Sequence, residues 1–263
     1  MLAGARTPDA VTAALELLDP HQPDVRAAIL ERYEHFAEKP TLRDPSTTAR
    51  AVLLRGLGEA VSAGDVPLLE AAAATYEYLL PGPKEVAGRL RGAALVALAA
   101  ADERLAAFTA ARLLGDPHTS EMSGEPAVTA VRVLASLGQT ALLYSYLEAS
   151  GARVAEAAAE ALRSLVDAPP SVVGGLAERY AQSPDEIVLV GLFDLLLARP
   201  DRHRFVELTA RFLRETKLVD VFRYLVTAIV AGRDPVLIGA LRELRSGLPP
   251  PKLAILEEAL ALT

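Results

Sequence analysis

The chain has 263 residues, a formal net charge of −7 and no cysteine, which excludes disulfides, zinc–thiolate sites and iron–sulfur clusters. Although 51% of the residues are hydrophobic, only 5% are aromatic. The apolar content is therefore largely alanine, leucine and valine, and alanine and leucine are the strongest helix formers. No run approaches the ~18 uncharged apolar residues of a membrane span. The opening stretch, MLAGARTPDAVTAALELLDP, has no long apolar core behind a basic start, so no signal peptide is read there. The expectation is a soluble cytoplasmic protein that uses no cofactor. There is no asparagine, and there are four lysines against 23 arginines. A thermophilic host and a GC-rich genome would each produce that bias, and both readings stay open.

Proline divides the chain, because it removes a helix donor and clashes with the preceding turn. Taken in order, the periodic segments predict helices over 8–18, 23–38, 46–63, 66–80, 84–101, 102–114, 125–137, 139–149, 152–166, 170–182, 185–198, 202–214, 216–231, 235–245 and 250–262. Thr7, Asp44, Ser183 and Asp234 each directly precede a proline and are candidate caps. Val128, Val131, Leu134 and Leu137 form one apolar stripe, as do Val188, Leu192, Leu195 and Leu196. Leu105, Phe108, Ala111 and Leu113 form a third, interrupted by Arg112. No strand-like alternation exceeds about four residues.

The helices come in pairs whose first members start near Ser46, Lys84, Glu125, Ala152, Asp185 and Thr216, before a closing helix near Pro250. Two helices every 30–40 residues imply an α-solenoid, in which each pair buries its apolar face only by stacking on its neighbours. The segment AARLLGDP at 110–117 followed by AVTAVRVLASLG at 127–138, together with PDVRAAIL at 23–30 and ARVAEAAAEAL at 152–162, resembles HEAT repeats. That resemblance implies an all-α, right-handed α-α superhelix over residues 1–263. Residues 1–45 would act as an irregular N-terminal cap and 246–263 as a closing helix. It also implies a ladder of turn aspartates and first-helix arginines; Asp24/Arg26 and Arg132 fit that pattern, whereas Glu156 stands where 152–162 departs from it.

Signals of catalysis are sparse. The phosphate-loop, G-x-S-x-G and H-E-x-x-H motifs are absent. GLGEAV at 56–61 begins like a dinucleotide loop but lies in a helical run without the third glycine, and reads as tight helix packing. His21, His35, His118 and His203 have no metal-ligand spacing. No catalytic, cofactor-binding or metal-binding residue is assigned.

Charge and aromatic placement say more. Residues 1–198 carry 16 Lys/Arg and 26 Asp/Glu, a net −10, whereas residues 199–245 carry 10 and 6, a net +4. Within that basic zone Arg204, Arg211 and Arg214 fall on one helix face, opposite Phe205, Leu208 and Phe212. They form a candidate site for an acidic partner, although Glu207 and Glu215 at i±4 from Arg211 offer local pairing instead. A broad basic surface for nucleic acid is missing. Tyr76, Tyr78, Tyr144, Tyr146 and Tyr180 fall in predicted second helices, which line the concave face of HEAT-like solenoids. Tyr76, Tyr146 and Tyr180 join the apolar stripe and are expected in the core, whereas Tyr78 and Tyr144 point outward as candidate anchors. The break DPHTSEMSGEP at 116–126 is long for a helix connection. Ser123 is its candidate helix cap. Its one isolated apolar residue, Met122, predicts a loop folded back onto the helices, with His118, Thr119 and Glu121 presented outward. The function expected is a non-catalytic scaffold binding a protein or peptide on its concave surface. The alternative is a helical-repeat, lyase-like enzyme with a pocket in that groove.

Overall fold

A computed structural model describes residues 2–79, 81–82, 84–149 and 154–262. Apart from one two-stranded ribbon, the regular structure among the described residues is helical. The helices are α1 (Pro8–Leu15), α2 (Pro23–Glu38), α3 (Pro40–Arg43), α4 (Thr48–Leu57), α5 (Val66–Ala73), α6 (Gly88–Ala101), α7 (Glu103–Leu114), α8 (Ala127–Ser136), α9 (Thr140–Glu148), α10 (Ala155–Arg163), α11 (Pro170–Tyr180), α12 (Glu186–Ala198), α13 (Val206–Glu215), α14 (Val219–Gly232), α15 (Pro235–Glu243) and α16 (Pro250–Leu260). The ribbon consists of β1 (Tyr78–Leu79) and β2 (Lys84–Glu85).

Local chemistry sets most of the helix ends. Thr7 and Asp234 cap as expected: the Thr7 hydroxyl accepts from the Ala10 amide at 3.3 Å, and Asp234 accepts from Val236 at 3.0 Å and Leu237 at 3.4 Å. Asp44 acts at longer range, accepting from the amides of Ala49 at 3.0 Å and Arg50 at 3.1 Å to start α4. Ser183 bonds the Asp185 amide, and Asp185 itself caps α12 through Ile187 and Val188. These bonds satisfy amides that a helix N-terminus leaves without partners. In the GLGEAV stretch, Gly56 sits against Leu15 of α1, while Gly58, at φ +49°, ends α4 rather than packing.

The contacts divide the chain into two compact units, Met1–Tyr146 and Leu147–Thr263. In the first unit α2 packs on α4, α4 on α6 and α6 on α8, while α5 and α7 flank α6. Its core holds Leu53, Leu54, Leu57, Leu90, Leu95 and Leu98, none more than 1% exposed. In the second unit α10 packs on α12, α12 on α14 and α14 on α16, with α11, α13 and α15 beside them. The stripes of 128–134 and 188–196 are buried, whereas Leu137, the last residue expected in the first stripe, is only half-buried. The alanines of α10 bring backbones close together: a Cβ on Gly191 of α12 would stand 2.5 Å from the Cα of Ala159. Only glycine permits that approach.

Four predicted helices change. The one over 46–63 ends at Leu57 and gives way to two short 3₁₀ turns, Gly58–Ala60 and Ala63–Asp65. The helix over 66–80 stops at Ala73, and the one over 84–101 starts at Gly88, because Tyr78–Leu79 and Lys84–Glu85 pair as the ribbon, with Tyr78 opposite Glu85 and Leu79 opposite Lys84. The helix over 202–214 opens as a 3₁₀ turn, Arg202–Phe205, before α13. The predicted start at Ala152 and the break at Pro83 lie outside the described residues.

Candidate functional site

The ribbon and the 116–126 loop meet around Arg91 of α6, whose side chain is fully buried. Aromatic residues at 76 and 78, with Pro81 and Gly82 behind them, favour an extended turn over a helix. Once extended, this segment delivers acceptors to Arg91. Arg91 Nη1 donates to Thr75 O at 2.9 Å and Glu85 Oε1 at 2.8 Å, and Nη2 donates to Glu85 Oε2 at 3.1 Å. Arg91 Nε lies 3.0 Å from Asp116 Oδ2. A buried guanidinium is tolerated when bidentate and charge-paired in this way.

Asp116 carries the network outward. Its Oδ2 accepts from the Tyr76 hydroxyl at 3.1 Å and its Oδ1 from the His118 amide at 2.8 Å. Burial, and then the Asp116 charge, raises the Tyr76 phenol above its usual range. The Arg91 guanidinium lies 4.2 Å from the centroid of the Tyr76 ring, a cation–π contact. The His118 ring stands edge-on to Tyr76 and Tyr78, with centroids 5.5 and 5.9 Å away, and its Nε2 is 3.4 Å from the Tyr78 hydroxyl. Thr119 Oγ1 donates to Asp116 O at 2.9 Å. The expected contact residues Tyr78, His118 and Thr119 therefore share one clasp. Glu121 is exposed on the same loop, and Tyr144 is exposed on α9. Tyr76 is corrected: it is 39% exposed and belongs to the clasp surface, not the core. Tyr146 and Tyr180 are half-buried.

Met122 does not set the path of the loop, since it is 90% exposed. Backbone bonds hold it instead: Ser120 N to Glu125 O at 2.9 Å and Gly124 N to Ser120 O at 2.8 Å. Glu125 seats the far end on α6, its carboxylate lying where a Cβ on Gly92 would meet it at 2.8 Å. Ser123 bonds the Glu125 amide rather than capping α8, which begins after Pro126. Polar groups within the loop satisfy one another, so no apolar anchor is required.

Grooves open on the helices in each unit. In the first unit Glu103, Arg104, Ala107, Phe108, Ala111, Leu137, Gln139 and Leu142 line a groove of about 590 Å³. Phe108 is 70% exposed there, against the sequence expectation that it joins a buried stripe. The buried face of α7 is Ala106, Thr109, Ala110, Leu113 and Leu114. Small residues allow close packing on that face, while the large side chain is turned out, so a pattern weighted by side-chain size selects the wrong face.

In the second unit Arg204, Arg211 and Arg214 line a groove of about 560 Å³ between α11 and α13. Phe205 and Leu208 line the same groove, so they do not stand opposite the arginines as expected. Arg204 lies 3.6 Å from Asp201. Arg211 and Arg214 have no ion pair within 4.0 Å among the described residues, so the local pairing of Arg211 with Glu207 or Glu215 is not formed. Glu178, Glu207 and Glu215 also line the groove, which makes its charge balanced rather than basic.

Cations elsewhere close helix C-termini, where carbonyls lack partners. Arg112 donates to Ala73 O at 3.0 Å, Arg199 to Val166 O and Ala168 O at 2.8 Å, and buried Lys252 to Leu213 O at 2.9 Å. Burial lowers the Lys252 ammonium from its usual range. Acid–base links join neighbouring elements too: Arg26 to Asp65, Arg163 to Asp194 at 2.7 Å and Arg202 to Asp234 at 2.7 Å. Among the described residues no three His, Asp or Glu side chains converge to hold a metal ion, and no helix is long and apolar enough to cross a membrane. The chain matches no protein-family model, no curated protein and no solved structure.

Proposed function

We propose that the chain is a HEAT-like helical-repeat scaffold whose interhelical grooves receive a protein or peptide partner. The observation that carries this reading is Phe108, a large aromatic side chain 70% exposed in the groove beside Leu142, itself 41% exposed. Exposed aromatics in a concave site are typical interface anchors. A peptide with one apolar anchor would fill the space over Ala107 and Ala111. Glu103 and Arg104 at the rim would set its orientation. The stacking of alternate helices within each unit, and the acid–base links 31–39 residues apart, support a solenoid.

The test is a displayed random-peptide selection against the full chain, with Phe108→Asp as the counter-target. Phe108 is exposed, so the substitution should change stability by no more than ~0.5 kcal/mol. The expected result is enrichment of peptides sharing an apolar anchor, with binding lost on Phe108→Asp. Enriched peptides that bind both proteins equally, or no enrichment, would remove this reading of the groove.

A further inference from the structure

At the N-terminal end of the first unit stands a positive cluster without a matching negative charge. Arg32 of α2 is only 8% exposed, and its Nε is buried with no hydrogen-bond partner. Its Nη2 donates to the carbonyl of Ala5, and the charge of the next residue, Arg6, acts on it as well. His35 lies three residues further along α2, on a neighbouring face. Arg43 of α3 reaches the His35 ring, with Nη1 3.2 Å from Nδ1, and also bonds the His35 carbonyl. Among the described residues the one carboxylate ion-paired to this group is Glu38, 2.8 Å from Arg43 and largely exposed. Neither Arg6 nor Arg32 has an ion pair within 4.0 Å among the described residues.

Every other deeply buried arginine among the described residues is compensated. Arg50 has Asp44 and Glu77, Arg91 has Glu85 and Asp116, and Arg199 has Asp201 and two carbonyls. Arg32 has one carbonyl and the face of Phe36, whose centroid is 4.6 Å away. Burial, and then the charges of Arg6 and Arg43, holds the Arg32 guanidinium below its usual range. Burial followed by the charges of Arg32 and Arg43 does the same for His35. An unpaired buried cation among other cations is an unfavourable arrangement that a bound anion would relieve.

We propose that Arg6, Arg32, His35 and Arg43 form a binding site for a phosphate-type oxyanion, either free phosphate or a small phosphate monoester. Guanidinium forks match tetrahedral oxyanions geometrically. With Arg43 partly neutralised by Glu38, Arg6 and Arg32 supply the two charges that balance a dianion. The site lies apart from the grooves of the proposed scaffold and does not depend on them.

The experiment follows thermal unfolding of the full chain in inorganic phosphate, in glycerol 3-phosphate and in sodium chloride at equal ionic strength. A ligand that binds only the folded state raises its midpoint. Saturating phosphate should raise it by about 2–4 °C beyond chloride. A stronger response to the monoester would identify an ester as the ligand, and a stronger response to inorganic phosphate would identify the free ion. Arg32→Met should abolish the response while unfolding at or above the wild-type midpoint in chloride, since it removes the uncompensated charge. Arg6→Ala changes an exposed residue and guards against a folding failure of Arg32→Met; it should reduce the response at least twofold. Equal midpoints in phosphate and chloride, or a full phosphate response in Arg6→Ala, would overturn the proposal.

Discussion

The Tyr78 hydroxyl lies 3.4 Å from Nε2 of His118, forty residues along the chain. The pair joins the open end of a two-stranded ribbon, where Tyr78 stands opposite Glu85, to the first turn of the long loop. Beneath it, Tyr76, Asp116, Arg91 and Glu85 run as one network from the surface to a fully buried guanidinium. The clasp therefore orders two exposed segments with one interior charge.

Its energetic centre is the Arg91–Asp116 pair. Asp116→Ala would leave Arg91 buried with Glu85 alone and release Tyr76. Breaking a buried pair from one side typically costs about 3–5 kcal/mol, and a loss of roughly 3 kcal/mol is expected here because Glu85 remains. Urea denaturation gives the magnitude. Hydrogen exchange should accelerate first in 75–87 and 116–126; a change confined to other segments would contradict the network.

Met122 makes the opposite prediction. Since it is 90% exposed, Met122→Ser should leave stability within ~0.5 kcal/mol and amide exchange across 116–126 unchanged. Gly124→Ala should speed that exchange, because Gly124 adopts φ +66° while its amide bonds Ser120 O. Faster exchange in Met122→Ser would mean that the side chain packs on the helices after all.

Gly191 reports on the α10–α12 contact. A methyl group there would stand 2.5 Å from Ala159 Cα and 2.8 Å from its carbonyl oxygen. Both are backbone atoms, so the helices themselves must move apart. Gly191→Ala should destabilise the second unit by about 1–3 kcal/mol despite its better helix propensity. Adding Ala159→Gly should recover only part of this, because it removes neither backbone atom. Full recovery in the double variant would show that the Ala159 methyl alone was responsible.

Asp234 sets an acid dependence. Burial pushes its carboxyl up, but hydrogen bonds from Arg202, His203 and the amides of Leu237 and Val236 outweigh burial and hold it well below the usual range. An aspartate depressed in the folded state contributes stability that is present above its unfolded value of about 3.9 and is lost as the pH falls through the folded value. Wild-type stability should therefore decline from about pH 4 downward. Asp234→Asn should be less stable at pH 7 and show a shallower acid decline. Parallel acid limbs for the two proteins in denaturant titrations at pH 3 and 7 would contradict the assignment.

Much of the helical plan was legible from residue type. Prolines and short polar caps such as Thr7 and Asp234 mark helix starts through bonds made within a few residues, so they read the same in sequence and in structure. The stripes at 128–134 and 188–196 were equally clear, because large apolar residues stood at helical spacing. Tyr78, His118 and Thr119 were separately visible as exposed candidates, and so were Arg204, Arg211 and Arg214.

Tertiary structure alone decided the rest. Tyr78–Leu79 and Lys84–Glu85 became a ribbon because Arg91, buried in α6, takes its partners from Thr75, Glu85 and Asp116, a requirement that no local propensity expresses. Phe108 faced outward because alanines at 106 and 110 pack closer than a phenylalanine would. Arg32 became an uncompensated charge only when the chain folded Ala5 and Arg43 around it. Local hydrogen bonds and side-chain periodicity are properties of neighbouring residues, and the sequence carries them directly. Charge compensation and the choice of buried face depend on residues distant in sequence, and the fold determines them.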